Sequence, residues 1–356
     1  MQHALRLAGR GLGRVAPNPA VGCVIVSPDD RVLGRGWTAD GGRPHAETVA
    51  LAQAGAAARG AIAYVTLEPC AHHGQTPPCA EALVRAGVRR VVGAIEDPDP
   101  RVRGRGFAMM REAGIEVATG VLAGEAERLN AGFFIREHMK RPLVTLKIAQ
   151  SLDGKTATSS GESKWITCED SRRFGHLLRA RHDAVLVGSE TALADDPELT
   201  CRISGLEQHS PMRVVLDTRL RLSESSKLAL GASKVPTVIY SAGNSALALS
   251  ASGIQIVTVA RDSRGRPDIG AVLTDLAQRG VTRLLVEGGA AVHASLLDRG
   301  FADQVEVFRS PMLLGDASHS AIAALSAFTL DEAPRFRSVG RRMIGSDLLE
   351  SFETCA

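Results

Sequence analysis

Four residues in two short stretches have the types and spacing for metal-assisted chemistry. In "GRPHAETVALAQAG" (Gly42 to Gly55), His45 and Glu47 put an imidazole and a carboxylate at the opening of a predicted helix that closes at Gly55. The positive end of a helix suits metal ligands and anions, and Pro44 suits its first turn. Residues two apart do not share a helix face. If His45 holds a metal, Glu47 therefore stands beside the open coordination position, where a proton shuttle belongs; in isolation the same H-A-E string would read as a polar first turn. Twenty-five residues past His45, "TLEPCAHHGQTPPCAEALVRAG" supplies Cys70 after a β-rich run and Cys79 after Pro78 at the start of another helix. One histidine and two cysteines make a catalytic zinc set, because three protein ligands leave the fourth tetrahedral position to water. The helix N-terminus predicts a lowered thiol pKa at Cys79. Zinc brings the pKa of bound water near neutrality, so Glu47 can pass a proton to a ring nitrogen and a departing amine, which is hydrolytic deamination. His72 or His73 as a fourth ligand would instead close the site and make the zinc structural.

The second half of the chain carries weaker signals. "KIAQSLDGKTATSSGESKWIT" runs from a strand into the turn Asp153-Gly154, "VLVGSETALADDPELTCR" runs off a strand into Gly188 and Ser189, and "RLLVEGGAAVHASLL" sets Gly288 and Gly289 between a buried strand and a helix. Small residues let backbone N–H groups and a helix N-terminus approach a phosphate. Polar or glycine-rich loops at strand ends mark the ligand edge of an α/β sheet. Without a G-x-G-x-x-G fingerprint the residues alone imply a phosphate or nucleotide and name no nicotinamide.

The elements that must position these groups follow from periodicity. At 356 residues, 44% hydrophobic and 23% charged, the chain has ordinary globular composition and room for two domains. Its net charge of +3 argues against a protein that coats nucleic acid. The opening "MQHALRLAGRGLGR" is too short and polar for a signal peptide or membrane span, and six cysteines in a chain this long are no disulfide framework, so a soluble cytoplasmic protein is expected. Strand runs "VGCVIVS", one near Val32, "AIAYVTLEP", "RRVVGAI" and "IEVATG" alternate with helices at His45, Cys79 and Phe107, a layered α/β pattern. The helical "GEAERLNAGFFIREHMKRP" ends at Pro142, which puts the boundary there: residues 1–141 form a zinc-dependent deaminase domain and 142–356 a second α/β domain. The second strand series is "LVTLKI", "DAVLVG", "MRVVLD", "PTVIY", "IQIVTV" and "RLLVEGG"; Ser241 to Gly270 gives little periodicity and reads as variable surface.

"PNPAVGCVIV", "PHAE", "TLEPC" and "HHGQTPPC" closely resemble the deaminase half of the RibD family, bifunctional enzymes of riboflavin biosynthesis within the wider cytidine-deaminase-like superfamily. Nucleic-acid-editing deaminases commonly carry P-C-x-x-C, whereas eight residues separate Cys70 from Cys79. The resemblance implies His45, Cys70 and Cys79 as zinc ligands and Glu47 as the proton shuttle, with Asn18 and His72 as substrate contacts; Asn18, between two prolines, also fits a turn. "SLDGKTA", "GESKWIT", "VGSETALADDPELTCR", "VEGG" and "LLGDA" resemble that family's reductase domain, which has a dihydrofolate-reductase-like α/β fold and uses NADPH. Carried over by motif, Ala149, Trp165, Thr191, Asp195 and the run Gly289, Ala290, Ala291, Val292, His293, Ala294 and Ser295 resemble that family's cofactor contacts. The same resemblance implies Ser163, Arg179, Leu199, Arg202 and Glu287 as substrate contacts. The two arginines make sense as a guanidinium pair for a ribose 5-phosphate. Lys147, a strand-end lysine, is placed with the substrate, where it and Asp195 could stabilise charge or relay protons.

Taken together these imply deamination of a diaminopyrimidinone ribosylamino phosphate to the aminouracil, then NADPH-dependent reduction of ribosyl to ribityl, in a homo-oligomer built through the reductase domain. The partner is a small molecule, with no nucleic acid and no membrane. The rival is a nucleoside or nucleic-acid deaminase with an accessory nucleotide-binding domain, disfavoured by the cysteine spacing and by only 4% aromatic residues. A non-catalytic protein with a structural zinc is the other alternative. Arg309, beside a strand end, and Cys168, after "WIT", depart from the family pattern.

Overall fold

The computed structural model describes residues 1–73, 77–99, 102–243, 247–327 and 329–355. Gly74 to Thr76 of the "HHGQTPPC" motif lie outside the described residues. The chain divides into two units, Met1–Lys140 and Arg141–Ala356.

The first unit runs α1 (Gln2–Ala8), β1 (Gly22–Val26), β2 (Val32–Trp37), α2 (Ala46–Ala54), β3 (Ile62–Val65), α3 (Cys79–Ala86), β4 (Arg90–Gly93), α4 (Arg105–Glu112), β5 (Glu116–Ala118) and α5 (Ala123–Met139). Its sheet has the order β2-β1-β3-β4-β5, with β1 antiparallel to β2 and β3, and β3, β4 and β5 parallel. Ala46, Ala50 and Ala54 recur every fourth residue and give α2 a buried face of small side chains. That face lies directly on β2. A Cβ at Gly34 would strike the Ala50 carbonyl and one at Gly36 the Ala46 carbonyl, so only glycine lets the helix backbone settle there. This close seat fixes the start of α2, and with it His45 and Glu47. Phe134 of α5 packs against the same core, whose alanine and valine side chains come from every layer of the unit.

The second unit runs β6 (Leu143–Gln150), β7 (Lys155–Ala157), α6 (Glu169–Ala180), β8 (Ala184–Gly188), α7 (Ser189–Asp195), β9 (Met212–Leu216), α8 (Lys227–Leu230), β10 (Thr237–Ser241), α9 (Leu247–Ala251), β11 (Gln255–Thr258), α10 (Ile269–Gln278), β12 (Arg283–Gly288), α11 (Ala290–Asp298), β13 (Gln304–Arg309), β14 (His319–Ser320), β15 (Phe336–Ile344) and β16 (Asp347–Thr354). Nine strands form one sheet in the order β11-β10-β9-β8-β12-β6-β13-β16-β15. The first seven are parallel; β16 joins β13 antiparallel and β15 closes a hairpin on β16. Successive residues of β8 feed opposite faces, Ala184 and Leu186 one cluster, Val185 and Val187 the other. Burial on both faces is why the central strands read as unbroken hydrophobic runs. The sequence series stopped at "RLLVEGG", so the C-terminal hairpin is an addition: β15 is mostly exposed and its "FRSVGRRMI" lacks an apolar alternation. The weakly periodic Ser241 to Gly270 stretch holds α9 and the edge strand β11, whose outer residues Gln255 and Thr258 are exposed.

Both departures from the family pattern have structural partners. Arg309 Nη2 lies 2.7 Å from Glu350 Oε2 on β16. Cys168 stands at the N-cap of α6, donating its backbone N–H to Asp347 at 2.8 Å. Among the described residues no helix is long and apolar enough to cross a membrane.

Candidate active sites

His45 is the N-cap of α2, Cys70 follows β3 in a loop, and Cys79 opens α3. His45 Nδ1 lies 3.7 Å from Cys70 Sγ and 3.3 Å from Cys79 Sγ, and the three ligand atoms all fall within 4.8 Å of one another. A tetrahedral zinc with Zn–S near 2.3 Å and Zn–N near 2.0 Å demands N···S separations of about 3.5 Å, so the donor set and its spacing fit zinc. The Cys79 backbone N–H points at Cys70 Sγ at 3.3 Å, and the Cys70 carbonyl accepts from Ala80 at 3.2 Å, tying the loop to the helix start.

The thiol expectation needs correction. It is Cys70 that drops, to about 4, because the Cys79 side chain donates to it, with further help from His45 and the Cys79 N–H. Cys79 is pushed up, since it hydrogen-bonds the Cys70 sulfur and is buried beside Glu47. The helix N-terminus acts as argued, but its free N–H is aimed at the neighbouring sulfur. Glu47, 3% exposed, is raised to about 7, first by burial and then by the Cys70 charge.

A cavity of about 420 Å³ joins Glu47, His45 and Cys70 to Asn18 and His72. His72 Nδ1 is buried and has no hydrogen-bond partner among the described residues, which suits a group that faces a ligand. His73 instead turns to Glu81, 2.9 Å away. Neither joins the His45, Cys70, Cys79 cluster, so the described residues offer zinc no fourth ligand. Sequence reading missed the far walls. Asp97, raised to about 7 chiefly by burial, lines the cavity, as do Phe133 and Arg136 of α5. It also passed over Glu68 of "TLEPC". The buried Glu68 carboxylate accepts from Gly104 and Gly106 at 2.9 Å and from Asp97 and Phe107 at 3.2 Å, holding the Asp97 loop against the start of α4. An acid within an apolar run was the available signal.

In the second unit β8, β12 and β6 are parallel neighbours, so the three loops after them share one edge. Gly289, the N-cap of α11, has φ +91°, and a Cβ there would lie 3.4 Å from Val292 and 3.7 Å from Thr191. Thr191 and the Gly289 turn are thus adjacent. Ala290, Ala291, Val292 and Ser295 are half-buried. His293 and Ala294 are turned inward, with His293 Nδ1 3.1 Å from the Ala321 carbonyl. Ala149 is half-buried in β6, Ser163 is half-buried before α6, and Asp195 ends α7. Trp165 is 65% exposed, with the Arg172 guanidinium 4.5 Å from its ring.

Arg179 and Arg202, expected to meet a phosphate together, each have a carboxylate partner. Arg179 grips Glu287 with two hydrogen bonds, of 2.5 and 2.8 Å, and donates to the Thr200 carbonyl at 3.0 Å. Arg202 is exposed and lies 3.0 Å from Glu198. Burial would raise the Glu287 carboxyl, but Arg179, and beyond it Lys147, hold it at about 2. Lys147 is lowered by burial, its ammonium attracted to Glu287 and repelled by Arg179. His176, which no motif singled out, is lowered by burial and by both Arg179 and Arg202, so it lies within the field of the two arginines. Leu199 is buried, with φ +54°, in the loop that carries Thr200.

Comparison with known proteins covers both units. Residues 1–95 match the cytidine and deoxycytidylate deaminase zinc-binding region, and residues 142–349 the RibD C-terminal domain. The chain is 42% identical over 353 residues to the riboflavin biosynthesis protein RibD of Bacillus amyloliquefaciens, covering 98% of this chain and 94% of that protein. Against the RibD of Aquifex aeolicus it is 40% identical over 355 residues, covering 99% and 97%. Among solved structures, Acinetobacter baumannii RibD superposes with a TM-score of 0.88 at 37% identity over 100% of this chain and 98% of that one. The Thermotoga maritima diaminohydroxyphosphoribosylaminopyrimidine deaminase/5-amino-6-(5-phosphoribosylamino)uracil reductase gives 0.88 at 35% identity over 100% and 97%.

Proposed function

The chain belongs to the RibD family of riboflavin-biosynthesis deaminase-reductases, and from that premise we propose how its two units divide the work. The first deaminates 2,5-diamino-6-(5-phosphoribosylamino)pyrimidin-4(3H)-one to 5-amino-6-(5-phosphoribosylamino)uracil. The second reduces the ribosyl group of that product to ribityl with NADPH. The observation that carries the first assignment is the three-ligand His45, Cys70, Cys79 cluster with Glu47 in the same cavity.

Zinc held by His45, Cys70 and Cys79 supplies the Lewis acidity that makes water a nucleophile near neutral pH. Glu47, buried in the same cavity, accepts a proton from the attacking water and delivers protons to the ring nitrogen and the leaving amine. Asn18 and His72 orient the pyrimidine. In the second unit Ala149, Trp165, Thr191, Asp195 and the Gly289 to Ser295 turn would hold NADPH, which would supply hydride. Ser163, Leu199, Arg202 and the Lys147, Arg179, Glu287 cluster face the sugar phosphate; with Arg179 already paired, Glu287 fixes the guanidinium that the phosphate or ribose meets. The protein is read as a cytoplasmic homo-oligomer built through the reductase unit that binds no nucleic acid, consistent with a net charge of +3 and 4% aromatic residues. Incubating the purified protein with the diaminopyrimidinone phosphate should release ammonia with or without NADPH, and oxidise NADPH only after deamination. NADPH oxidation that precedes ammonia release would reverse the order of the two steps.

A further inference from the structure

The stretch matched by the general deaminase zinc-binding region ends at residue 95, yet the deaminase cavity does not. Phe133, Arg136 and Glu137, all on α5, line it. One buried side chain joins this helix to the loop that carries Asn18. Asn130, 3% exposed, accepts from the Ala20 N–H through Oδ1 at 2.9 Å and donates through Nδ2 to the Ala20 carbonyl at 3.1 Å. Both polar groups of one buried peptide residue are thus satisfied by a single amide 110 positions away. Ala20 itself is 3% exposed, so water is a poor substitute.

The loop so held carries Asn18. Its other supports are Thr38, whose hydroxyl donates to the Pro19 carbonyl at 3.1 Å and accepts from Val21 N–H at 3.0 Å, and Gly42, where an added Cβ would strike the Asn18 amide. Gly42 lies three residues before His45. The Asn18 side chain is therefore packed between a loop clasped by α5 and the segment that leads into the first zinc ligand.

We propose that Asn130 is a positioning residue of the deaminase site, clasping Ala20 so that Asn18 is presented to the pyrimidine. The inference rests on the reading of Asn18 as a substrate contact. Loss of the clasp leaves the Ala20 N–H and carbonyl buried and unpaired, which a loop relieves by moving, and two residues away Asn18 moves with it.

The test is a double-mutant cycle on the full-length, zinc-loaded protein, using Asn18→Ala, Asn130→Ala and the two combined. Asn130→Ala should raise the KM for deamination about tenfold with little change in kcat, keep stoichiometric zinc, and leave NADPH oxidation with the deaminated substrate at the wild-type rate. Combined, the two changes should cost no more than Asn18→Ala alone within about twofold, because residues acting through one contact are not additive. Should Asn130→Ala fail to hold zinc, Asn130→Asp keeps the shape and the acceptor for Ala20 N–H while losing the donor, and the same cycle is run with it. Independent, multiplicative effects, or a fall in kcat with KM unchanged, would overturn the positioning role while leaving Asn18 a substrate contact. An Asn18→Ala enzyme with wild-type KM would remove Asn18 from the substrate, and this inference with it.

Discussion

Replacing Glu287 by glutamine removes the carboxylate that neutralises Arg179 and Lys147 while keeping its shape. The pair is almost fully enclosed, with side-chain exposures of 14% for Arg179 and 8% for Glu287, so solvent screens it little. Depression of the Glu287 pKa from 4.5 to about 2 corresponds to roughly 300-fold in the folding equilibrium, or about 3 kcal/mol, at neutral pH. Breaking a buried ion pair by removing one partner typically costs about 3–5 kcal/mol, in agreement. Because the folded-state value lies below the unfolded one, this contribution is complete above about pH 4.5 and disappears as pH falls toward 2. At pH 3 the wild-type advantage over Glu287→Gln should have shrunk to about tenfold. Hydrogen exchange of the α6 and β12 amides reads the second unit separately from the first, so exchange in Glu287→Gln should be about 300-fold faster at pH 7 and about tenfold faster at pH 3, after correction for intrinsic rates. A gap that is the same at both pH values, or below about threefold at pH 7, would refute the argument that Arg179 and Glu287 stabilise each other as charges.

Three further outcomes are expected. Glu47→Gln should keep zinc, measured by metal analysis, and lose about 10²- to 10⁴-fold in ammonia release, since the amide cannot carry a proton; near-wild-type turnover would remove Glu47 from the chemistry. Cys79→Ser should lower zinc occupancy itself, a hydroxyl being a poor ligand beside a thiolate, and unchanged metal content would take Cys79 out of the set. Gly289→Val should weaken NADPH binding about tenfold in a fluorescence titration, because a β-branched residue at φ +91° distorts the turn before α11; unaltered affinity in a folded variant would place the cofactor elsewhere.

Legibility in the sequence tracked distance along the chain. The zinc set could be read because each ligand sits in a short motif whose neighbours announce a helix start or strand end, and those local geometries hold at His45 and Cys79. The shared edge of strand-end loops in the second unit was legible because β6, β8 and β12 each end in a glycine or polar loop, and a parallel sheet brings such ends together. What was not legible depended on partners far away. Nothing near Arg179 in sequence announces its hydrogen bonds to Glu287, 108 positions on. Nothing near Asn130 in sequence announces that it is buried and committed to Ala20. The partner of the Cys79 N–H was not legible either, because the Cys70 sulfur that it meets lies in a different loop.

The central claim is that two chemically independent sites occupy one chain, with the metal serving only the first. Stripping zinc with a chelator and assaying both reactions tests it most directly, with circular dichroism to follow the fold. Ammonia release from the diaminopyrimidinone phosphate should vanish, while NADPH oxidation with the deaminated compound should continue at the untreated rate, since the Lys147, Arg179, Glu287 cluster contains none of the metal's ligands. Parallel loss of both activities in protein that remains folded would contradict the account and require a single zinc-dependent centre.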